Sequence, residues 1–424
     1  MSAMRHAGRE IVESLQLAVA PIVVGAFMAW ERLESGVAFN LASKRFRNNP
    51  YPMYREVQQQ DPVHRLRLVD AWALTRYDDV DELLRDHRRF GNEGRDYGYL
   101  DYVTLLDLDP PDHTRLRSLV SKAFTRRTVA DLESRIQRIV DERLDAVADR
   151  KQFDLIEALA YPLPMIVIAE MLGVPAQDMD RFEAWSKDIA LVVEPVLRGR
   201  DIRRARKASD ALFEYFEGII EQRQRDPQDD LISALLAAEE SGDQLTRDEM
   251  LGTLVLLLVA GNETTRNLIG NGTLALLKNP DQLQRLSEDP SLLNSAIEEL
   301  LRYDSPVQLD SRIAREDVVL GGKRIRAGQQ VIAVLGAANR DPAAFDRPDT
   351  LDIGRGEKNH LAFGRGIHYC LGSSLAILEG RIAFTSILAR YASIRLVAEP
   401  AVRNQIVLRG LEELWVEVEH SPRT

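Results

Sequence analysis

Cys370 is the one cysteine in a chain of 424 residues, and it stands in FGRGIHYCLG, behind Gly364 and Gly366 and ahead of Gly372. A thiolate so placed can serve as a nucleophile or as a metal ligand, whereas a lone cysteine without special surroundings is a small buried hydrophobe. The glycines permit tight turns and close approach of the backbone to a flat group. The following LGSSLAILEGRIAFTSILARY has helical periodicity, which places Cys370 at or just before a helix N-terminus, where free N–H groups favour the thiolate. His368 could assist either chemistry. A second cluster is AGNETT, Ala260 to Thr265, where Glu263 and Thr264 put an acid beside an alcohol inside an apolar run. A third is EELLR, where Glu299 and Arg302 share a helix face and can pair; alone, such a pair is ordinarily a surface salt bridge of little value.

The elements that must position these groups are mostly helical. Thr246 and Glu249 have capping-box spacing and open a helix that runs to Lys278, where Asn279-Pro280 stops it, about 48 Å at 1.5 Å per residue. Its centre is apolar on nearly every face, so it is buried, and its abrupt polar turn at Asn262–Thr265 needs partners or a polar cavity. Near the N-terminus YPMYREVQQQ reads as a helix, and VHRLRLVDAWALTRY as a hairpin broken at Asp70. Amphipathic helical periods follow through the middle of the chain. A second set of short strands is expected between Val318 and Ala337, with turns at Gly-Gly and Ala-Gly. The fold class is mainly α with small β-sheets. No Ser/Gly/Pro-rich linker or repeat divides the chain.

A single cysteine excludes an internal disulfide and a multi-thiolate zinc site, and suits a reducing, cytoplasmic setting. Net charge is −11 with no long basic block, which argues against nucleic acid. Leu15 to Trp30 carries no charge and is slightly short of the ~20 residues a spanning helix needs. A membrane-associating segment, a signal h-region and an apolar helix packed on the body all fit it. Glu10, Glu13 and the lack of a clean cleavage site count against the signal.

In order along the chain, these motifs closely resemble the cytochrome P450 superfamily, the haem-thiolate monooxygenases, and in particular its soluble bacterial three-component type. The likeness runs from about Asn49 to the C-terminus. It implies a triangular prism with haem b between the long distal helix and the helix after the cysteine loop. Residues 1–45 would form an N-terminal extension with an apolar helix at 15–30, and 46–424 a single catalytic domain. FGRGIHYCLG is similar to the family's haem loop, which makes Cys370 the proximal iron ligand and Phe363, Gly364 and Gly372 part of the haem cradle. AGNETT is similar to its distal-helix motif: Ala260 and Gly261 pass over the haem, Gly261 opens the helix backbone, and Glu263 and Thr264 supply protons, with Glu263 relaying them from solvent. Glu299 and Arg302 become a folding clamp, with Arg355 as third member. DPPDHTRLR, Arg312 and His368 supply propionate contacts, so His113, Arg117, Arg312 and His368 hold the cofactor.

The same likeness implies insertion of one O₂ oxygen atom into a C–H or C=C bond of an apolar small molecule. The chain has no G-x-G-x-x-G signature, no cysteine cluster for iron–sulfur and no room for a reductase. NAD(P)H therefore acts only indirectly, through a ferredoxin and its reductase, and Arg115, Lys122, Arg126, Arg127 and Arg365 form a candidate basic docking patch. Asn262, Val307, Gln308 and Leu309, with segments before Leu106 and from Ile189 to Gly199, are candidate pocket residues. A monomer is expected, with a peripheral contact at the inner face of a membrane through residues 15–30 left open. Two rivals remain, a peroxide-using haem-thiolate peroxygenase and a non-catalytic haem sensor. Two departures stand out: Ile377 replaces the arginine of the family's L-A-R-x-E continuation, and the apolar segment before Trp30 is unusual for the soluble type.

Overall fold

The computed structural model describes residues 22–94, 102–194, 199–240 and 245–421. Its axis is the helix Arg247–Lys278, whose Thr246 and Glu249 make the reciprocal capping-box bonds that the spacing predicts. The helix is wrapped on several sides, by Pro162–Met171, Gly199–Arg225, Leu293–Tyr303 and Ser373–Arg390. Leu254 and Leu258 on its N-terminal half are wholly buried. Each such side chain contributes roughly 1.5–3 kcal/mol by leaving water, so this helix is held by packing and not by amphipathic patterning.

The sheets are small and lie to one side. The largest orders its strands as Val63–Leu66, Ala71–Leu74, Gln330–Val334, Leu309–Ala314 and Phe90–Gly91. The expected hairpin is present, with Val63 opposite Leu74 and Asp70 in a left-handed turn at φ 51°. The Gly-Gly turn of the second set is also present: Gly321 and Gly322 have φ of 51° and 78° between Val318–Leu320 and Lys323–Ile325. Ala71 pairs in parallel with Gln330, and Leu309 antiparallel with Val334, which brings the two sequence-distant sets into one sheet. A further sheet of Gln152–Asp154, Trp415–His420 and Tyr391–Leu396 closes the C-terminal side.

Residues 22–35 form a helix, five residues longer at its C-terminal end than the apolar run suggests; residues 15–21 lie outside the described region. The helix is tied to the body by Glu31, whose buried carboxylate accepts from Phe39 N (3.0 Å) and Arg67 N (2.8 Å) and lies 3.3 Å from His64 Nε2. Its outer face is apolar: Ile22, Trp30 and Leu33, spaced to share one face, are 73%, 51% and 89% exposed. Among the described residues no helix is long and apolar enough to cross a membrane.

Candidate active site

A cavity of about 940 Å³ occupies the centre of the molecule, with Cys370 on one wall and the middle of the long helix on the other. The cysteine loop is shaped by Gly364 and Gly366, both at φ near +69°. At Gly366 a side chain would collide with the Leu84 carbonyl, so the close approach here is to the preceding helix Tyr77–Arg85. Cys370 N donates to Phe363 O (2.9 Å), and the helix Ser373–Arg390 starts three residues later. Burial pushes the thiol upward, opposed by amide bonds from Gly372 and Ser373 and by the Arg117 charge. Those opposing groups favour the thiolate that a bound metal would complete.

Opposite, Ala260, Gly261, Thr264, Thr265 and Leu268 line the cavity, as the 100° turn per residue requires. Thr264 Oγ1 donates to Ala260 O (2.9 Å). The helix is unbroken from Arg247 to Lys278, so the backbone does not open at Gly261; a Cβ there would meet only Ile168 at 3.5 Å. Asn262 is wholly buried beside Tyr161 and is not part of the cavity wall, because it falls off the lining stripe. Glu263 reaches the cavity but does not face solvent. It is paired with Arg403 and lies 3.9 Å from Arg266.

At the cavity's edge the rings of His113 and His368 lie with centroids 4.2 Å apart, tilted by 52°, and Arg117 and Arg312 line the wall. Both ring nitrogens of His113 are buried without a protein partner. Burial, then the Arg117 charge, hold that imidazole down to about 4. Arg117 donates to Tyr369 O, and Arg312 to Asp310 Oδ2 (2.8 Å) and Ser311 O (2.7 Å). Asn92 joins the group, its Nδ2 2.8 Å from His368 Nε2. Buried polar atoms normally have partners, so this edge fits an anionic group that the chain itself does not provide.

Behind the cysteine loop Glu299 is the centre of a dry ion-pair cluster. Arg302 binds it bidentately (2.7 and 2.8 Å), Arg355 Nε donates at 3.1 Å and Asp352 N at 2.9 Å. The remaining Arg302 donors reach Asn339 O and Pro348 O, both at 2.8 Å. The cluster thereby joins the helix Leu293–Tyr303 to the loop ahead of the cysteine.

Of the pocket residues expected on the strand side, Val307 and Leu309 line the cavity. Gln308 points the other way, to Tyr54 Oη (2.9 Å) and Ser305 O (2.7 Å), as strand alternation dictates. Two lining features were missed, Ile406 to Leu408 from a C-terminal hairpin and Glu379 on the helix after the cysteine, together with Arg403 at the hairpin base, which pairs with the lining residue Glu263. Only Glu379, about three turns from Arg390, the cation on its own helix face, carried a local sign. Burial raises its carboxyl to about 8 against a hydrogen bond from Thr265. The docking patch is also reduced. Arg115 pairs with Glu249, and Arg365 with Asp81 (3.4 Å), while Lys122 and Arg127 are exposed and the Arg126 side chain lies outside the described set.

A mainly helical prism with small sheets, whose central cavity sets a loop cysteine against a Thr-bearing helix, defines a haem-thiolate oxygenase. The chain belongs to the cytochrome P450 family, whose profile, described as Cytochrome P450, matches residues 27–408. It is similar to Cytochrome P450 107B1 of Saccharopolyspora erythraea, at 43% identity over 90% of this chain and 97% of that protein. Vitamin D(3) 25-hydroxylase of Pseudonocardia autotrophica is 42% identical over 89% of this chain and 96% of its own length. Among solved structures, CYP109E1 from Bacillus megaterium in complex with testosterone superimposes with a TM-score of 0.83. It is 39% identical, over 88% of this chain and 99% of that one. The protein is a cytochrome P450 monooxygenase with haem b as its cofactor, and NAD(P)H reaches it through redox partners.

Proposed function

We propose that this monooxygenase hydroxylates or epoxidises an apolar, steroid-sized molecule with electrons from a ferredoxin. The observation that carries the reading is the placement of Cys370 and Thr264 on facing walls of one cavity whose remaining lining is largely aliphatic. Its volume is at the upper end of ordinary ligand pockets, which suits a prosthetic group and a substrate together. The names of the relatives, a vitamin D(3) hydroxylase and a testosterone complex, support a polycyclic substrate over a small polar one.

When bound, haem supplies the activation of O₂; the chain supplies binding, orientation and protons. Cys370 would hold the haem iron as a thiolate, and its amide donors at Gly372 and Ser373 would temper the sulfur's charge. Arg117 and Arg312 would neutralise the propionates, His113 and His368 would hydrogen-bond them, and Ala260, Gly261, Phe363 and Gly364 would form the flat walls. The Glu299–Arg302–Arg355 cluster holds the cysteine loop in register. Thr264 Oγ, which donates to Ala260 O, would donate instead to oxygen bound in the cavity, and Glu263, once its carboxylate leaves Arg403 and takes a proton from solvent, would return a proton to Thr264.

The first test is the absorption spectrum of the reduced protein under carbon monoxide, where thiolate ligation shifts the Soret band to the red. A spin-state screen with sterols and long-chain fatty acids then reports the substrate class. NADH-driven product with a ferredoxin and its reductase supports the full reading. Product with peroxide alone and none with ferredoxin refutes it. The exposed face of Ile22, Trp30 and Leu33 supports a peripheral lipid contact, because aromatic and aliphatic side chains on one helix face enter the interfacial zone. Flotation with phosphatidylcholine vesicles, lost in Leu33→Asp, checks that contact.

A further inference from the structure

Glu194 lies one residue beyond the short helix Ala190–Val193, and its carboxylate is 5% exposed. It accepts three consecutive amide protons from a segment more than two hundred residues away: Ile406 N at 2.7 Å, Val407 N at 3.1 Å and Leu408 N at 3.5 Å. Burial pushes the Glu194 carboxyl above its ordinary range, opposed by the three amide bonds and then by the nearby Arg403, which is itself paired with Glu263. All three amide-donor residues line the cavity, and so do Val192 and Val193 just before Glu194.

The segment is the tip of a hairpin. Its base is closed by Arg403 N to Gly410 O (3.0 Å) and Glu412 N to Ala401 O (2.9 Å). One side of the tip is stitched to the strand-side wall by Gln308 N to Val407 O and Arg409 N to Pro306 O, both 2.8 Å. Glu194 fastens the other side to the helical roof. The tip is thus suspended between two cavity walls, and its depth over the cavity is set by one carboxylate.

We propose that Glu194 is a positioning residue for substrate: by gathering the amides of Ile406 to Leu408 it sets how far these three aliphatic side chains descend on a bound molecule, and so selects by size. This rests on the haem-thiolate reading and deepens it. Glu194→Gln keeps the shape but turns one acceptor oxygen into a donor facing an amide N–H, which releases the tip.

The test uses the full-length, haem-loaded protein, with carbon monoxide, imidazole and 4-phenylimidazole as probes followed by their Soret shifts. In Glu194→Gln, 4-phenylimidazole, the larger azole, loses affinity roughly tenfold, as loss of a charged hydrogen bond predicts. The smaller probes imidazole and carbon monoxide stay within about twofold. Equal change for both azoles, or none for either, overturns the proposal. If the variant does not fold, amide exchange of residues 406–408 in the unaltered protein decides. Slow exchange that slows further with 4-phenylimidazole supports the proposal, and exchange as fast as an open loop, or unaltered by the azole, overturns it. The red-shifted carbon monoxide spectrum of the unaltered protein reports the haem reading separately.

Discussion

Thr264 stands on the cavity wall with its hydroxyl parked on the Ala260 carbonyl, one turn back along its own helix. An alcohol in that position can pass a proton and receive another, which no methyl group can do. Thr264→Ala should therefore leave NADH consumption largely intact while product per NADH falls roughly tenfold and hydrogen peroxide rises, measured by a peroxide assay beside product analysis. Unchanged coupling would remove Thr264 from the proton path. Glu379 poses a different question. Burial holds its carboxyl up to about 8 from 4.5, so between those pH values the folded protein keeps a proton that the unfolded chain has lost. Stability contributed by this group is therefore lost as pH rises from about 4.5 to about 8. Glu379→Gln should gain on the parent by an amount on the order of 2–4 kcal/mol between pH 5 and pH 8. Denaturant unfolding of both proteins at the two pH values checks the sign.

Among the elements, the helix Leu293–Tyr303 and the cysteine loop are joined by charge in a dry place. Arg302 is 1% exposed and Glu299 2%, so neither can fall back on water. Glu299→Gln leaves two guanidinium groups without their anion, a change that costs about 3–5 kcal/mol in buried pairs. The expected result is a lower unfolding midpoint and haem lost on gel filtration, with the carbon monoxide spectrum of any retained haem unchanged in position. A shifted band in the retained fraction would mean that the cluster tunes the sulfur as well as holding its loop. Ile377, which departs from the L-A-R-x-E pattern implied by the resemblance, packs partly buried against the hydrophobic cluster around this helix.

For the whole molecule, a protein of net charge −11 must present local positive charge to dock an acidic electron donor. For the ferredoxin proposed above, internal pairing of Arg115 and Arg365 leaves Lys122 and Arg127 as the exposed candidates among the described side chains of the patch. The rate of reduction by a ferredoxin should fall steeply as salt rises from about 0.01 to 0.15 M, where the screening length shortens from about 30 to 8 Å. In Lys122→Glu/Arg127→Glu the rate should drop several-fold at low salt and lose most of its salt dependence, read by stopped-flow. A variant with the parent's salt slope would place the docking face elsewhere.

Much of the site was written locally. The cysteine loop, the capped long helix and the Glu299–Arg302 pair are each set by spacing within a few residues, because turn conformation, capping and the i,i+3 helix neighbour are short-range effects. Periodicity also contained the two pocket corrections: Asn262 falls off the stripe shared by Ala260, Gly261 and Thr264, and Gln308 takes the strand face opposite Val307 and Leu309. What the chain's local pattern could not carry is every partnership between remote segments. Arg403 on Glu263, Glu194 on the amides of Ile406 to Leu408, and the burial that raises Glu379 all join residues separated by a hundred positions or more, or depend on what surrounds them. The sequence alone determined the class of protein and singled out the cysteine proposed as its metal ligand; the tertiary structure decided which acid is clamped, which residues roof the cavity and which arginines are paired internally, because burial and long-range pairing exist only once the chain has closed on itself.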